Sequence, residues 1–145
     1  MNDRTIYDLM RTVSRRLVKK PVDINFVNYS TLKAAGCARV DYNGRYVIDL
    51  ASDIYKSGSE EDLKAFLHEC AHLRLHAKNF GKSDTSQPPE WDKPKNEVIA
   101  GRRLLMESQA ETLAATWEHY AIEHEPKDEN GSSLFELRLR ALLKY

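Results

Sequence analysis

The sequence has 145 residues, of which 41% are hydrophobic and 30% are charged, a composition that fits one folded domain and excludes an intrinsically disordered chain. The 22 Lys and Arg residues balance the 22 Asp and Glu residues, so the net charge does not indicate a nucleic-acid partner. No apolar run reaches the length of a membrane span, no secretion signal is recognisable at the start, and the two cysteines form no CxxC pair, so we expect a cytoplasmic protein without membrane contact.

The first part of the chain combines one helical pattern with three strand patterns. Residues 4–19 place apolar side chains at helical spacing, with basic residues between them, and predict an amphipathic helix. Residues 22–27 alternate between apolar and polar side chains, which predicts a half-buried strand. Asn43-Gly44 lies between two β-rich runs and is the dipeptide most typical of a tight hairpin, so residues 37–50 should form two antiparallel strands.

The second part of the chain is mainly helical. Ser57 or Ser59 can cap a helix that has an acidic first turn and runs to about residue 78. Residues 80–95 are rich in Gly, Ser and Pro and form a loop long enough to predict a functional role, such as a lid or a specificity element. A long helix should follow over residues 96–123.

A last helix should begin at Ser132 or Ser133, where a capping serine precedes leucines at helical spacing. The predicted order is helix, strand, hairpin and three helices. This order indicates an α+β fold, in which a small antiparallel sheet packs on helices within a single domain over residues 1–145.

The pattern His-Glu-Cys-Ala-His at residues 68–72 lies inside the predicted second helix. His68 and His72 are four residues apart, so their imidazoles project from one face and can bind one zinc ion together. Glu69 lies about 100° around the helix axis, from where its carboxylate can activate a metal-bound water without binding the metal. Apolar residues surround the motif, which disfavours a solvated helix with two unrelated histidines.

Two glutamates of the long helix are candidates for a third zinc ligand. Glu107 and Glu111 are four residues apart and share a helix face. One of them can bind zinc, while the other accepts a hydrogen bond from the outer N–H of a ligand histidine. The spacing alone leaves both assignments open.

Two further residues near the motif have other predicted roles. His76 follows His72 by four residues, but it lies about 12 Å along the helix from His68. We therefore expect it to support a ligand histidine, or to cap the helix, and not to bind the ion. Cys70 should point away from the two histidines and act as a small buried hydrophobe.

Residues 66–76 resemble the active helix of zincin metallopeptidases, in particular the ImmA/IrrE family and the peptidase domain of ArdC-type anti-restriction proteins. Residues 107–114 resemble the downstream ExxA(E/D/N)xxA segment of these proteins and the gluzincin pattern. The resemblance covers about residues 40–120 and implies a zincin-like fold with zinc bound. It implies Glu107 as the third ligand and Glu111 as the support of a ligand histidine, with the reverse assignment open.

The same resemblance suggests how a substrate would bind. In zincins, the edge strand before the active helix pairs with an extended peptide, and residues 46–50 correspond to it. The first functional hypothesis is therefore a zinc metallopeptidase that cleaves a peptide or protein substrate by an endopeptidase-type reaction. The second is a non-catalytic zincin-fold binding or regulatory protein, encoded by a phage or mobile element. The third is a metal-free helical protein with accidental motifs.

Overall fold

The computed structural model describes residues 3–28, 32, 35–52, 59–80, 82, 97–127 and 131–145. These residues form four helices and three strands in the order α1 (Asp3–Val18), β1 (Val22–Val27), β2 (Gly36–Val40), β3 (Tyr46–Ala51), α2 (Glu60–His76), α3 (Glu97–Glu123) and α4 (Leu134–Leu142). One turn of 3-10 helix, Ala77–Asn79, extends α2. The α+β class is confirmed, and the predicted elements lie close to the observed ones. The predicted loop at residues 80–95 lies outside the described residues except at positions 80 and 82.

Serine side chains cap the N-termini of two of the helices. The Oγ of Ser59 accepts a hydrogen bond from the backbone N–H of Asp62 at 3.2 Å. In the same way, the Oγ of Ser133 accepts one from the backbone N–H of Glu136 at 3.2 Å. Each bond satisfies a donor that the first helical turn cannot pair internally. Of the two serines predicted for each helix start, the structure therefore uses the second.

The hairpin predicted from Asn43-Gly44 is confirmed. β2 and β3 pair antiparallel, with Gly36 opposite Leu50 at the open end. The turn closes through a backbone hydrogen bond from Gly44 to Asp41 of 2.9 Å. Gly44 has a φ of +80°, a conformation that most side chains disfavour. This single requirement explains why the turn was recognisable in the sequence.

The expectation of a purely antiparallel sheet is wrong, because β1 pairs with β3 in parallel. The strand order is β1-β3-β2, so β1 and β2 run in opposite directions and β3 fills the position between them. Since the hairpin fixes β3 antiparallel to β2, β3 must run parallel to β1. The alternation of apolar residues in a strand indicates which face is buried but not which strand is its neighbour.

The central position of β3 also corrects the expected role of residues 46–50. With β1 and β2 bonded on its two sides, β3 has no free edge along which a peptide could pair. Its residues from Val47 to Ala51 are all buried, as expected for an interior strand. Among the described strands, β2 is the edge strand that contacts α2. Its far end is paired at Val40, which forms a bridge with Lys82.

The helix α2 lies at the centre of the packing. It contacts α1, α3, α4, β2 and β3, while α3 packs mainly on α2 and α4. The fully buried side chains include Met10, Ile48, Leu50, Leu63, Phe66, Leu67, Trp117, Phe135 and Leu139. A helix held on so many sides has a fixed orientation, so the side chains of the His-Glu-Cys-Ala-His segment have fixed positions. No described helix carries an apolar stretch that could cross a bilayer.

Candidate metal centre

Three side chains from two helices converge between α2 and α3. The Nε2 atoms of His68 and His72, one turn apart on α2, are 3.0 Å from each other. Glu107 of α3 contacts both rings, with its Oε2 2.9 Å from Nε2 of His68 and its Oε1 3.1 Å from Nε2 of His72. The carboxylate therefore faces the same point as the two imidazole nitrogens.

The spacing of these atoms fits a zinc ion. Tetrahedral zinc about 2.0–2.1 Å from each ligand atom separates those atoms by roughly 3.3 Å. The observed spacings of 2.9 to 3.1 Å are slightly shorter, so a small outward movement of the side chains would accommodate the ion. Two imidazoles and one carboxylate are also a donor set of catalytic zinc sites, in which the fourth position is left for water or substrate.

The protonation of His72 suits a metal ligand. Burial, the largest cause, lowers the pKa of His72 to about 4, and the charge of Glu107 opposes this shift in part. Removing an imidazole from water disfavours its charged form. His72 is therefore neutral at pH 7, which is the form that binds a metal.

Glu69 lies beside the two histidines on α2. Its carboxylate is within 4.8 Å of the ring nitrogens of His68 and His72, and the residue is only 9% exposed. The three side chains form a group that could hold a metal ion, and a carboxylate in this position could also act on a metal-bound water. Glu69 packs close to β2, since a Cβ added at Gly36 would lie 3.1 Å from Cγ of Glu69.

A third histidine and a glutamine extend the cluster on the side of His72. Nδ1 of His72 is 3.3 Å from Nδ1 of His76, and Nε2 of His76 is 2.9 Å from Oε1 of Gln109. The sequence predicted that His76 supports a ligand histidine, but it did not predict the contact of His76 with Gln109. No spacing rule links Gln109 to His76, because the contact depends on how α2 and α3 cross.

The structure does not bring Glu111 to an imidazole. Its side chain is exposed, and it lines a cavity together with Glu107 and His68. Among the described contacts, the outer nitrogen of His72 faces His76, so this contact takes the place that was expected for Glu111. Glu107 is accordingly the glutamate whose position matches a third ligand.

The cavity beside the metal centre has a volume of about 630 Å³, within the range of small-molecule and short-peptide sites. It lies between α2 and α3, and His68 and Glu107 form part of its wall. His72 does not line it, and its side chain is 5% exposed. A molecule in the cavity would therefore approach the cluster from the side of His68.

The other cysteine and histidine residues near these helices have different surroundings. Cys70 is fully buried in the core, as predicted, and burial raises the pKa of its thiol well above the usual value. In the second half of α3, His124 stacks on Tyr120, and His119 pairs with Glu123. The hydroxyl of Tyr120 donates a hydrogen bond to the backbone oxygen of Lys144.

Comparisons with known proteins found no similar protein: no family model, no curated protein and no solved structure matches this chain. The functional assignment therefore rests on the residues and their geometry.

Proposed function

We propose that this protein is a zinc-dependent metallopeptidase of the endopeptidase type, in which His68, His72 and Glu107 bind the zinc ion. The observation that carries the proposal is the convergence of two imidazole nitrogens and one carboxylate at spacings of 2.9 to 3.1 Å. A zincin-like fold and a relationship to the ImmA/IrrE and ArdC-type peptidase domains belong to the same proposal. They rest on residues 66–76 and 107–114.

The position of Glu69 supports hydrolysis as the reaction. Zinc in this site would polarise a peptide carbonyl and make a bound water more acidic. Glu69 is one residue from His68 and within 4.8 Å of both ring nitrogens, so its carboxylate can accept a proton from the attacking water. It can then deliver that proton to the leaving amine, which is the role of a general base and acid.

The sheet supplies a place for an extended peptide. β2 begins at Gly36, beside Glu69, and it is one of the two edge strands of the described sheet. A peptide that pairs with its backbone would pass the carboxylate and enter the cavity between α2 and α3. This placement assigns to β2 the substrate-binding role that the sequence analysis gave to residues 46–50.

The test separates metal binding from catalysis. The purified full chain should contain close to one equivalent of zinc by mass spectrometry of the metal, and it should cleave members of a peptide library. Glu69→Gln should keep the zinc and lower the rate of cleavage about 10²–10⁴-fold, the usual contribution of a general base. Glu123→Gln, which changes an exposed glutamate at the end of α3 outside the cavity lining, is the control and should keep the rate within about threefold.

The possible outcomes distinguish the hypotheses. A protein without zinc would contradict the proposal and favour the metal-free reading. A protein that binds zinc but cleaves no peptide would favour a binding or regulatory function. Equal cleavage by wild type and Glu69→Gln would refute the assigned mechanism while leaving the metal site intact.

A further inference from the structure

His76 is a buried histidine for which the proposed reaction has no direct use. It is 4% exposed and lies one turn beyond His72 on α2. Its two ring nitrogens have different partners: Nδ1 faces Nδ1 of His72 at 3.3 Å, and Nε2 faces Oε1 of Gln109 at 2.9 Å. His76 therefore bridges a proposed zinc ligand and a residue of the neighbouring helix.

The direction of this chain of hydrogen bonds follows from the chemistry of the imidazole ring. If Nε2 of His72 binds a metal, the proton of His72 must be on Nδ1, which then acts as a donor. Nδ1 of His76 must accept that hydrogen bond, so the proton of His76 is on Nε2. This second N–H donates to the side-chain oxygen of Gln109, which can accept it. Every group in the chain is satisfied in one consistent arrangement.

We propose that His76 and Gln109 are positioning residues that fix the tautomer and the ring orientation of His72, and thereby strengthen metal binding. This inference rests on the proposed zinc site. His76 contacts Nδ1 of His72, whereas Nε2 of His72 faces Glu107. His76 therefore acts on the proposed ligand His72 and not on the ion. Ligand histidines are commonly oriented by such a partner on the outer nitrogen, and the loss of the partner weakens metal binding by roughly 10–100-fold.

The use of a histidine and an amide in place of a carboxylate has a physical consequence. A carboxylate would add a further negative charge, beside those of Glu69 and Glu107, in a poorly solvated region. The pair formed by His76 and Gln109 orients His72 through neutral groups, at a smaller desolvation cost. Gln109 itself is at the surface of α3, so it links the buried ring to a position that can be changed without removing core atoms.

Gln109 provides the sharpest variants, because its exposed position makes misfolding a minor concern. Gln109→Met keeps the length of the side chain but removes the acceptor, whereas Gln109→Glu keeps an acceptor. Thr112→Val is the matched control, since Thr112 is exposed on the same helix and its hydroxyl bonds only to the backbone oxygen of Ser108. His76→Leu and His76→Asn form a second pair, in which only Asn can still accept from His72.

The experiment measures the affinity of the metal-stripped full chain for zinc by competition with a chromophoric chelator. Gln109→Met and His76→Leu should weaken zinc binding roughly tenfold or more. Gln109→Glu and Thr112→Val should stay within about threefold of wild type, and His76→Asn should recover part of the loss of His76→Leu. Long-range ¹H–¹⁵N NMR of the zinc-loaded wild type should show the proton of His72 on Nδ1 and that of His76 on Nε2.

The outcomes separate this inference from the proposed function. If wild type binds zinc and both Gln109→Met and His76→Leu bind it equally well, the positioning role is wrong and the metal site stands. A proton on Nδ1 of His76 in the zinc-loaded protein would also overturn the role. If wild type itself binds no zinc, the proposed function fails, and the positioning role fails with it.

Discussion

His68 and His72, the two histidines of the candidate metal centre, lie one turn apart on α2. Their surroundings differ. The side chain of His72 is 5% exposed, and its outer nitrogen faces His76. The side chain of His68 is 24% exposed, lines the cavity, and within the described part of the chain its Nδ1 has no protein partner. The difference divides the site into an inner half that fixes the geometry and an outer half that gives access to the metal.

This division has a physical logic. A ligand that is buried and hydrogen-bonded on its outer side loses little rotamer freedom when a metal binds, which favours affinity. A ligand in the wall of a cavity leaves space beside the metal for a substrate, which catalysis requires. Glu107 joins the two halves, since one oxygen contacts His68 and the other contacts His72.

The largest expected effect is on zinc affinity, and it distinguishes Glu107 from Glu111. Glu107→Gln should weaken zinc binding more than about 100-fold, because it removes the proposed third ligand, and the loss of an outer partner alone costs about 10–100-fold. Glu111→Gln should leave the affinity within about threefold, since the exposed side chain of Glu111 is not placed against either imidazole. Zinc titration of both variants checks this, and a larger loss for Glu111→Gln would reverse the assignment.

The next prediction compares the contributions of His72 and His68 to the stability of the metal-free protein. His72→Ala removes a buried ring and should lower the free energy of unfolding by about 2 kcal/mol. His68→Ala removes a side chain that is partly in water and should change it by about 0.5 kcal/mol. Both variants should lose zinc. Urea denaturation in the presence of a chelator measures the difference, and equal destabilisation would show that the inner and outer halves are not distinct.

The sequence contained strong signals for the parts of this site that follow from one helix. The spacing of His68, Glu69 and His72 within α2 needs only helical geometry, and the capping serine at Ser59 marks where that helix begins. The hairpin was equally recognisable, because Gly44 adopts a positive φ. In each case a local rule relates a residue type to a backbone conformation.

The parts that depend on packing between elements were not predictable in this way. The parallel pairing of β1 with β3 depends on the order of the strands in the sheet, which the alternation within one strand does not specify. The contact between His76 and Gln109 depends on the crossing of α2 and α3. Glutamine on a helix surface has no pattern that distinguishes this role, so only the three-dimensional structure brings it to the site.

The burial of His72 also predicts a pH dependence for the stability of the metal-free protein. The pKa of His72 is lowered to about 4 in the folded state, whereas an unfolded histidine has its ordinary pKa of about 6.5. The unfolded state therefore binds the proton more readily, so the stability from neutral His72 is fully present above pH 6.5 and is lost as the pH falls towards 4. Between pH 7 and pH 5 the loss should be roughly 1 to 2 kcal/mol.

Denaturation of the chelator-treated protein at several pH values measures this loss. His72→Gln should show a smaller decrease than wild type over the same range, because its side chain does not titrate. An equal decrease in both proteins would mean that other groups cause the pH dependence. The result would then contradict the assignment of His72 to a buried inner half of the site.

A further expected effect concerns the place where β2 approaches Glu69. A Cβ at Gly36 would lie 3.0 Å from Cδ2 of Leu50 and 3.1 Å from Cγ of Glu69, closer than unstrained contacts allow. Gly36→Ala should therefore cost about 1 kcal/mol of stability and displace the Glu69 side chain. Because Glu69 is the proposed general base and not a ligand, the variant should keep its zinc affinity while its turnover falls roughly tenfold.

Gly101→Ala is the matched control for this substitution. A Cβ there meets no atom within 4 Å, and the residue lies in the helix α3, where alanine is favoured over glycine. It should leave both turnover and zinc affinity unchanged. If Gly36→Ala lowered zinc affinity and turnover together, β2 would be supporting the metal ligands as well as Glu69. The separation between the proposed metal ligands and the proposed general base would then not hold at this strand.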